Sequence, residues 1–305
     1  MDDRYREALR AHMFEHQSFE EIERRLGLPF DDSIMARLLQ EATTEMGFVP
    51  RSPLEPLPGV VEPLPDAFTT GDGTEIVLLR VPAEEATSTW ESLLADAPSS
   101  GQWPVILSQR YGGGILQLLE EPAGFMEHAG GIASTQAVLD KARTLNGRVL
   151  LDKAWQSFFE YEEEEELMRG PLSDSPPARH LPPIPARLIP NTDSAIIGLF
   201  PCNDSFEIPA ILGYGGWNGS PAAAEHVAVL RYWQQHHHEA RLQALSLDTI
   251  ELIVGNPPSE GEQALAVARD HFSYASDIPS DTMYGTVGDL ASVLPISQHW
   301  HFWWD

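Results

Sequence analysis

Two histidines near the start of the chain have the spacing of a metal-binding helix. His12 and His16 are four residues apart with Glu15 beside the second, which is the H-x-x-E-H pattern of inverted zinc proteases. This spacing would place both imidazoles on one helix face, with a carboxylate nearby as a base. No strand is predicted before the pattern to wall a cleft, so we favour a partly exposed helix over a metalloprotease site.

A glycine-rich loop is the second place where residue types suggest chemistry. Gly213–Gly219 reads GYGGWNG and lies between a predicted strand and a predicted helix, where a phosphate-binding loop would lie. Asn218 replaces the last glycine of the dinucleotide pattern, and the loop lacks the Lys-Ser/Thr ending of a nucleotide triphosphate loop. Ser220 could cap the helix, and Pro221 suits its first turn. We therefore favour a tight turn packed by Trp217.

Three further features have simpler explanations than a site. His236–His238 are consecutive, so on a helix they point about 100° apart and suit the helix C-terminus better than a shared metal ion. Cys202 follows an apolar strand and a proline, which indicates burial rather than a catalytic thiol. The acidic run Glu160–Glu166 is typical of a solvated helix end, with a docking surface for a basic partner as the alternative.

The end of the chain, HWHFWWD, has the alternation of a strand. One face would carry three large aromatic side chains that close a core: Trp300, Phe302 and Trp304. The opposite face would carry two imidazoles, an indole and a carboxylate, which could line a pocket: His299, His301, Trp303 and Asp305.

Charge limits the classes of partner. The chain has 305 residues with 46 acidic and 19 basic side chains, a net charge of −27. Such a charge repels phosphate backbones and anionic membranes and favours a basic partner, so we expect neither nucleic-acid nor membrane binding. A single cysteine excludes an internal disulfide, and we see neither a signal peptide nor a long apolar span. We therefore expect a cytoplasmic protein.

Proline density and apolar spacing predict four segments. Residues 1–48 read as a helical appendage and residues 49–66 as a proline-rich linker. Residues 67–190 form an N-terminal α/β half, and residues 191–305 form a C-terminal α+β domain. Helices and strands do not alternate regularly, so the fold class is α+β, a mixed sheet with packed helices. The strands are predicted at 75–81, 104–107, 114–119, 195–200, 208–212, 242–245, 249–254 and the C-terminus; the helices at 83–94, 135–145, 152–168, 221–237, 260–272 and 287–294.

Several positions in the last third of the chain, taken in order, match one known family. They are Gly213, Gly215–Asn218, Pro221, His226, Trp233, Pro257–Pro258, Ala264, Ala268, Tyr274, Asp277–Ile278, Trp300 and Phe302–Asp305. Through them the stretch 194–305 resembles the bacterial domain of unknown function 4253, with a weaker resemblance over 77–107. Family members often carry Cys at the positions of Ser220 and Ala275 and Gly at that of His238. The resemblance implies a related fold and no established activity.

Together these observations favour a non-enzymatic, acidic interaction protein that binds a basic protein, in the manner of an immunity protein. The alternative is an enzyme whose site lies between the Trp217–Asn218 loop and the C-terminal strand, with His226, His301 or Asp277 as acid or base. We expect no metal and no cofactor. The candidate binding residues are Trp217, Asn218, His226, Asp277, His301 and Trp303.

Overall fold

The computed structural model describes residues 62–63, 68–70, 73–107, 134–159, 194–217, 219–236, 239–277 and 286–304. All of them belong to one unit of the chain, Pro56–Asp305. Several predictions fall outside the described residues: the helical appendage with its H-x-x-E-H pattern, most of the linker, the strand at 114–119, the acidic run Glu160–Glu166, Asn218, and His237–His238.

The described strands form one mixed sheet, as the sequence predicts. Its order is β1-β3-β5-β4-β6-β7-β8, with β2 paired to β3 beside that path. Only β4 and β6 are parallel among these neighbours; the other pairs are antiparallel. The strands are β1 Glu62–Pro63, β2 Phe68–Thr69, β3 Glu75–Pro82, β4 Gln102–Leu107, β5 Ser194–Pro201, β6 Arg241–Leu245, β7 Thr249–Ile253 and β8 His299–Trp303.

One sheet takes strands from both sides of residue 190. β5 follows that position in the chain, yet it lies between β3 and β4, which precede it. The parallel pair of β4 with β6 joins the same two parts of the chain again. The sheet core is therefore built jointly by residues 67–190 and 191–305.

The helices of the described residues overlap the predicted positions, with one addition. They are α1 Ala86–Ser100, α2 Thr135–Thr144, α3 Gly147–Phe158, α4 Ile208–Leu212, α5 Ala223–His236, α6 Glu262–Tyr274 and α7 Val287–Val293. The helix predicted at 152–168 starts earlier, at Gly147, and residues 160–168 lie outside the described residues. The prediction of a strand at 208–212 is wrong, because α4 occupies it. A short apolar run does not separate a strand from a buried helix. Pro209, in the first turn of α4, suits a helix start.

The two faces of the sheet are covered differently. On the first face, side chains from β3 to β8 share a core with residues of α3 to α7, including Trp233 and Phe272. On the second face, α1 covers part of the sheet, and its Trp90 is fully buried among Val81, Ile106 and Ile197. The Trp90 indole N–H donates to the Pro104 carbonyl at 2.9 Å, so this buried ring has a fixed orientation.

Candidate functional site

Several backbone N–H groups of the described part of the glycine-rich loop donate to carbonyls of the loop and its flanking residues. The Tyr214 N–H donates to the Pro209 carbonyl at 2.9 Å, and the Gly216 N–H donates to the Pro221 carbonyl at 2.9 Å. The Ser220 N–H donates to the Trp217 carbonyl at 2.7 Å. A phosphate loop instead aims several N–H groups at a ligand. The loop is a tight turn that connects α4 to α5.

A carboxylate of the protein itself, that of Glu225, occupies the N-terminus of α5. The Glu225 carboxylate accepts from the Ala222 N–H at 2.9 Å, which places a negative charge in the first turn. A carboxylate there stabilises the helix by the same electrostatics that would attract a phosphate. A bound phosphate would meet this charge at close range, so the geometry disfavours the phosphate-loop interpretation.

Gly215 allows the loop to lie directly on His226. Its φ is +103°, and a Cβ built on it would lie 2.1 Å from the Pro221 carbonyl oxygen and 2.6 Å from the His226 ring. No side chain fits in that space. The glycine therefore positions His226 and the loop against each other.

His226 is a fully buried, neutral histidine. Its Nε2 lies 3.0 Å from the Ser220 hydroxyl, and its Nδ1 lies 2.5 Å from the Tyr274 hydroxyl. The rings of Tyr214 and Trp304 pack at centroid distances of 5.2 and 5.4 Å. Burial lowers the pKa of His226 from 6.5 to about 3, because the charged imidazolium would lose its hydration.

One arrangement of protons gives every donor around His226 an acceptor. The Tyr274 hydroxyl donates to Nδ1 of His226, Nε2–H donates to the Ser220 oxygen, and the Ser220 hydroxyl donates to the Pro221 carbonyl at 3.4 Å. Burial raises the pKa of Tyr274 well above 10, so its proton stays in place. In this tautomer His226 presents no lone pair to Ser220, and the contact is not that of an activated nucleophile.

His301 lies on the other side of the sheet from His226. The side chains of β8 alternate: Trp300 and Phe302 enter the first core, so His301 points to the second face. It is directly opposite Glu251 of β7, and its Nδ1 lies 3.1 Å from a Glu251 carboxylate oxygen, with both side chains buried. The structure does not bring the two predicted catalytic histidines together.

The remaining polar groups of the second face extend from this pair. His299 Nδ1 lies 3.1 Å from the Gln243 carboxamide oxygen, so β8 is linked across β7 to β6. Asp277, the third predicted acid or base, is half-buried just beyond the end of α6. The described residues contain no group of three His, Cys, Asp or Glu side chains that could hold a metal ion.

Two of the predicted binding residues converge on the β6–β7 turn. The Trp217 indole N–H donates to the Leu247 carbonyl at 3.1 Å, and the Trp303 indole N–H lies 3.4 Å from Oδ2 of Asp248. Both indoles are half-buried. Trp217 also packs edge-on against Tyr214, with ring centroids 5.2 Å apart. The loop and the C-terminal strand therefore meet at one turn.

Asp248, at the centre of this turn, was not among the predicted site residues. Its Oδ1 accepts from the Ser246 hydroxyl at 2.8 Å and from the Thr249 hydroxyl at 2.9 Å. Its carbonyl accepts from the Trp304 N–H at 3.1 Å. The sequence Ser-Leu-Asp-Thr at 246–249, between two predicted strands, is a turn signal that could have drawn attention to Asp248.

Comparison with known proteins identifies the segment that carries this geometry. Residues 196–305 match a family described as Domain of unknown function (DUF4253). The C-terminal part of the chain resembles DUF4253. The predicted resemblance is therefore confirmed. No curated protein and no solved structure matches the chain.

The matched residues 196–305, here called the DUF4253 segment, contain α4 to α7, β6 to β8 and nearly all of β5. The glycine-rich loop, His226, the Glu251–His301 pair and the β6–β7 turn all lie within it. Strands β3 and β4 and helix α1 precede it in the chain, although β5 of the segment pairs with both strands. The segment completes its sheet only with the preceding part of the chain.

Cys202 of the DUF4253 segment is a free cysteine in an environment that disfavours its thiolate. Burial raises its pKa, and the nearby carboxylates of Glu207 and Asp204 raise it further. A thiol with a raised pKa carries little thiolate, which is the nucleophilic form.

Arginines of the described residues hold mostly internal contacts. Arg148 of α3 donates to Asp270 of α6 at 2.6 Å and also pairs with Asp152. Arg231 donates to the Ala142 carbonyl at 2.9 Å. The other arginines with internal contacts are Arg143 with Asp140, Arg241 with Asp204, and Arg269 over the Trp155 ring.

Among the described residues, the exposed side chains that carry a charge are mainly acidic. Helix α1 and the turn before it, residues 83–100, contain no lysine or arginine, and Glu84, Glu91 and Asp96 are exposed there. Lys141 and Lys153 are exposed cations that form no ion pair within the described residues. No helix of the described residues is both long and apolar enough to span a membrane.

Proposed function

We propose that this chain is an acidic interaction protein of the bacterial cytoplasm, without catalytic activity, that binds a basic protein in the manner of an immunity protein. The observation that carries the proposal is the contrast between the arginines and the acidic side chains of the described residues. Most of those described are held in internal contacts, whereas acidic side chains such as Glu84 and Glu91 stand exposed. A surface of one sign attracts a partner of the other sign and speeds its association.

The roles of the candidate catalytic residues support the same proposal. His226 is enclosed by aromatic rings and kept neutral, and Cys202 is kept protonated. A general base needs a pKa near the working pH and access to its substrate. Neither side chain has such a pKa, and His226 is also fully buried.

A second candidate function follows from the Glu251–His301 pair. A carboxylate that holds an imidazole by Nδ1 is an arrangement found in acid–base catalysis, where the carboxylate fixes the ring and its tautomer. Within the enzyme alternative, this pair favours His301 over His226 as the acid or base. An activity abolished by His301→Gln and by Glu251→Gln, in variants that melt like the wild type, would support the enzyme.

Affinity capture tests the proposed function directly. The tagged full chain is incubated with native lysate of the source organism at about 0.15 M salt and again at about 1 M salt, where surface charges are screened within roughly 3 Å. We expect mass spectrometry to find a basic protein enriched at low salt and lost at high salt. Captured proteins with no basic bias, or with no salt dependence, would contradict the proposal.

A further inference from the structure

The β6–β7 turn carries a carboxylate, Asp248, and receives contacts from two tryptophans. Trp217 reaches the turn from the glycine-rich loop, and Trp303 reaches it from the C-terminal strand. Their indole nitrogens contact consecutive residues, Leu247 and Asp248. Each half-buried ring is thus fixed by a hydrogen bond at one edge, and part of its surface remains accessible.

Within the described residues, the Asp248 carboxylate is held in place by neutral donors. Its Oδ1 accepts from two hydroxyl groups, and its Oδ2 lies 3.4 Å from the indole N–H of Trp303. All three donors are neutral. Within the described residues, Asp248 forms no ion pair with a lysine, arginine or histidine. Oδ2 therefore retains lone-pair capacity for a cationic donor.

A carboxylate next to aromatic rings is a chemical match for a basic side chain. The face of an indole attracts an ammonium or guanidinium group, and tryptophan is the strongest of the aromatic residues in this respect. Tryptophans fixed in position are also frequent energetic centres of protein interfaces. The turn combines both kinds of attraction at one place.

We infer that Asp248, with Trp217 and Trp303, receives a lysine or arginine side chain of the basic partner. This inference rests on the proposed function and makes it specific, because it assigns one docking point within a broadly acidic surface. The basic side chain would donate to Oδ2 of Asp248 and lie against one or both indoles.

Basic peptides test the docking point on the full chain. Fluorescein-labelled nona-arginine and nona-lysine are titrated at about 0.15 M salt, and fluorescence anisotropy gives the Kd of each. Asp248→Asn is compared with Asp96→Asn, which removes the same charge from an exposed position on α1. We expect Asp248→Asn to weaken binding at least about fivefold for one or both peptides, and Asp96→Asn to weaken it less than about twofold.

Tryptophan variants keep the test valid if Asp248→Asn proves unstable. Trp303→Leu leaves the charge of the protein unchanged and removes a cation-binding ring, so a loss of at least about fivefold would support the docking point. Equal losses for Asp248→Asn and Asp96→Asn, with no loss for Trp303→Leu, would overturn the docking point and leave the acidic interaction protein intact. Absence of peptide binding by the wild type would contradict both.

Discussion

The two sides of strand β8 show how differently one sheet uses its faces. Trp300 and Phe302 point into the first face and are fully buried, and Trp304, just after the strand, joins the same core. On the second face His301 pairs with Glu251, and Trp303 contacts Asp248 at the sheet end. Neighbouring residues of one strand thus serve an aromatic core and a polar, partly accessible surface.

This contrast separates structural residues from candidate binding residues. A side chain surrounded by rings, such as Phe302 between Trp233 and Tyr274, contributes through packing. Trp303 is half-buried and lies next to Asp248, which forms no ion pair within the described residues. Such a side chain contributes less to packing and can contact another molecule. Stability and binding should therefore respond to different substitutions.

The largest expected effect is the loss of stability on removing a ring from the buried face of β8. Phe302→Ala should lower the free energy of unfolding by about 3–5 kcal/mol, because it removes a fully buried ring and leaves a cavity. Trp303→Ala, one residue away, should lower it by only about 1 kcal/mol. Urea unfolding followed by circular dichroism measures both. Similar losses for the two variants would show that the second face is as much a core as the first.

A pair of glycine substitutions tests the packing of the loop on His226. Gly215→Ala should destabilise the protein by about 3 kcal/mol, because the new Cβ would overlap the Pro221 carbonyl and the His226 ring. Gly219→Ala is the matched control: its φ is +72°, but a Cβ there meets nothing within 4 Å. Its expected cost is about 1 kcal/mol, the strain of the left-handed backbone alone. Equal melting temperatures for the two variants would contradict the close contact with His226.

The sequence predicted the regular elements better than the contacts between them. Alternation alone assigned Trp300, Phe302 and Trp304 correctly to one buried face. The pairing of Glu251 with His301 depends on the register of two strands about 50 residues apart in the chain, which no local pattern specifies. The strand predicted at 208–212 is a helix, because five apolar residues suit either buried structure.

Acid should reveal the buried state of His226. Its pKa is about 3 in the folded protein and 6.5 in the unfolded chain. The unfolded chain therefore takes up a proton first, and the stability due to neutral His226 is lost as the pH falls below 6.5. Between pH 7 and pH 5 the loss should be about 2 kcal/mol. His226→Gln should remove this part of the pH dependence in denaturant titrations.

Asp270 acts in the opposite direction in the same pH range. Burial raises its pKa from 3.8 to about 6, against the favourable charge of Arg148, so its contribution to stability falls as the pH rises from about 4 to 6. Asp270 is present in both the wild type and His226→Gln, so the difference between their pH dependences of stability reports on His226 alone. An identical pH dependence of the two proteins would show that His226 is not held neutral by the fold.

Two neighbouring variants, Trp303→Leu and Phe302→Leu, test most directly whether the core and the binding surface are separate. Each is measured by thermal melting and by anisotropy titration with labelled nona-arginine. We predict that Trp303→Leu melts within a few degrees of the wild type and binds at least about fivefold more weakly. Phe302→Leu should melt clearly lower and, below its melting transition, bind like the wild type. Native affinity in a folded Trp303→Leu variant would contradict the assignment of binding to this side of the strand.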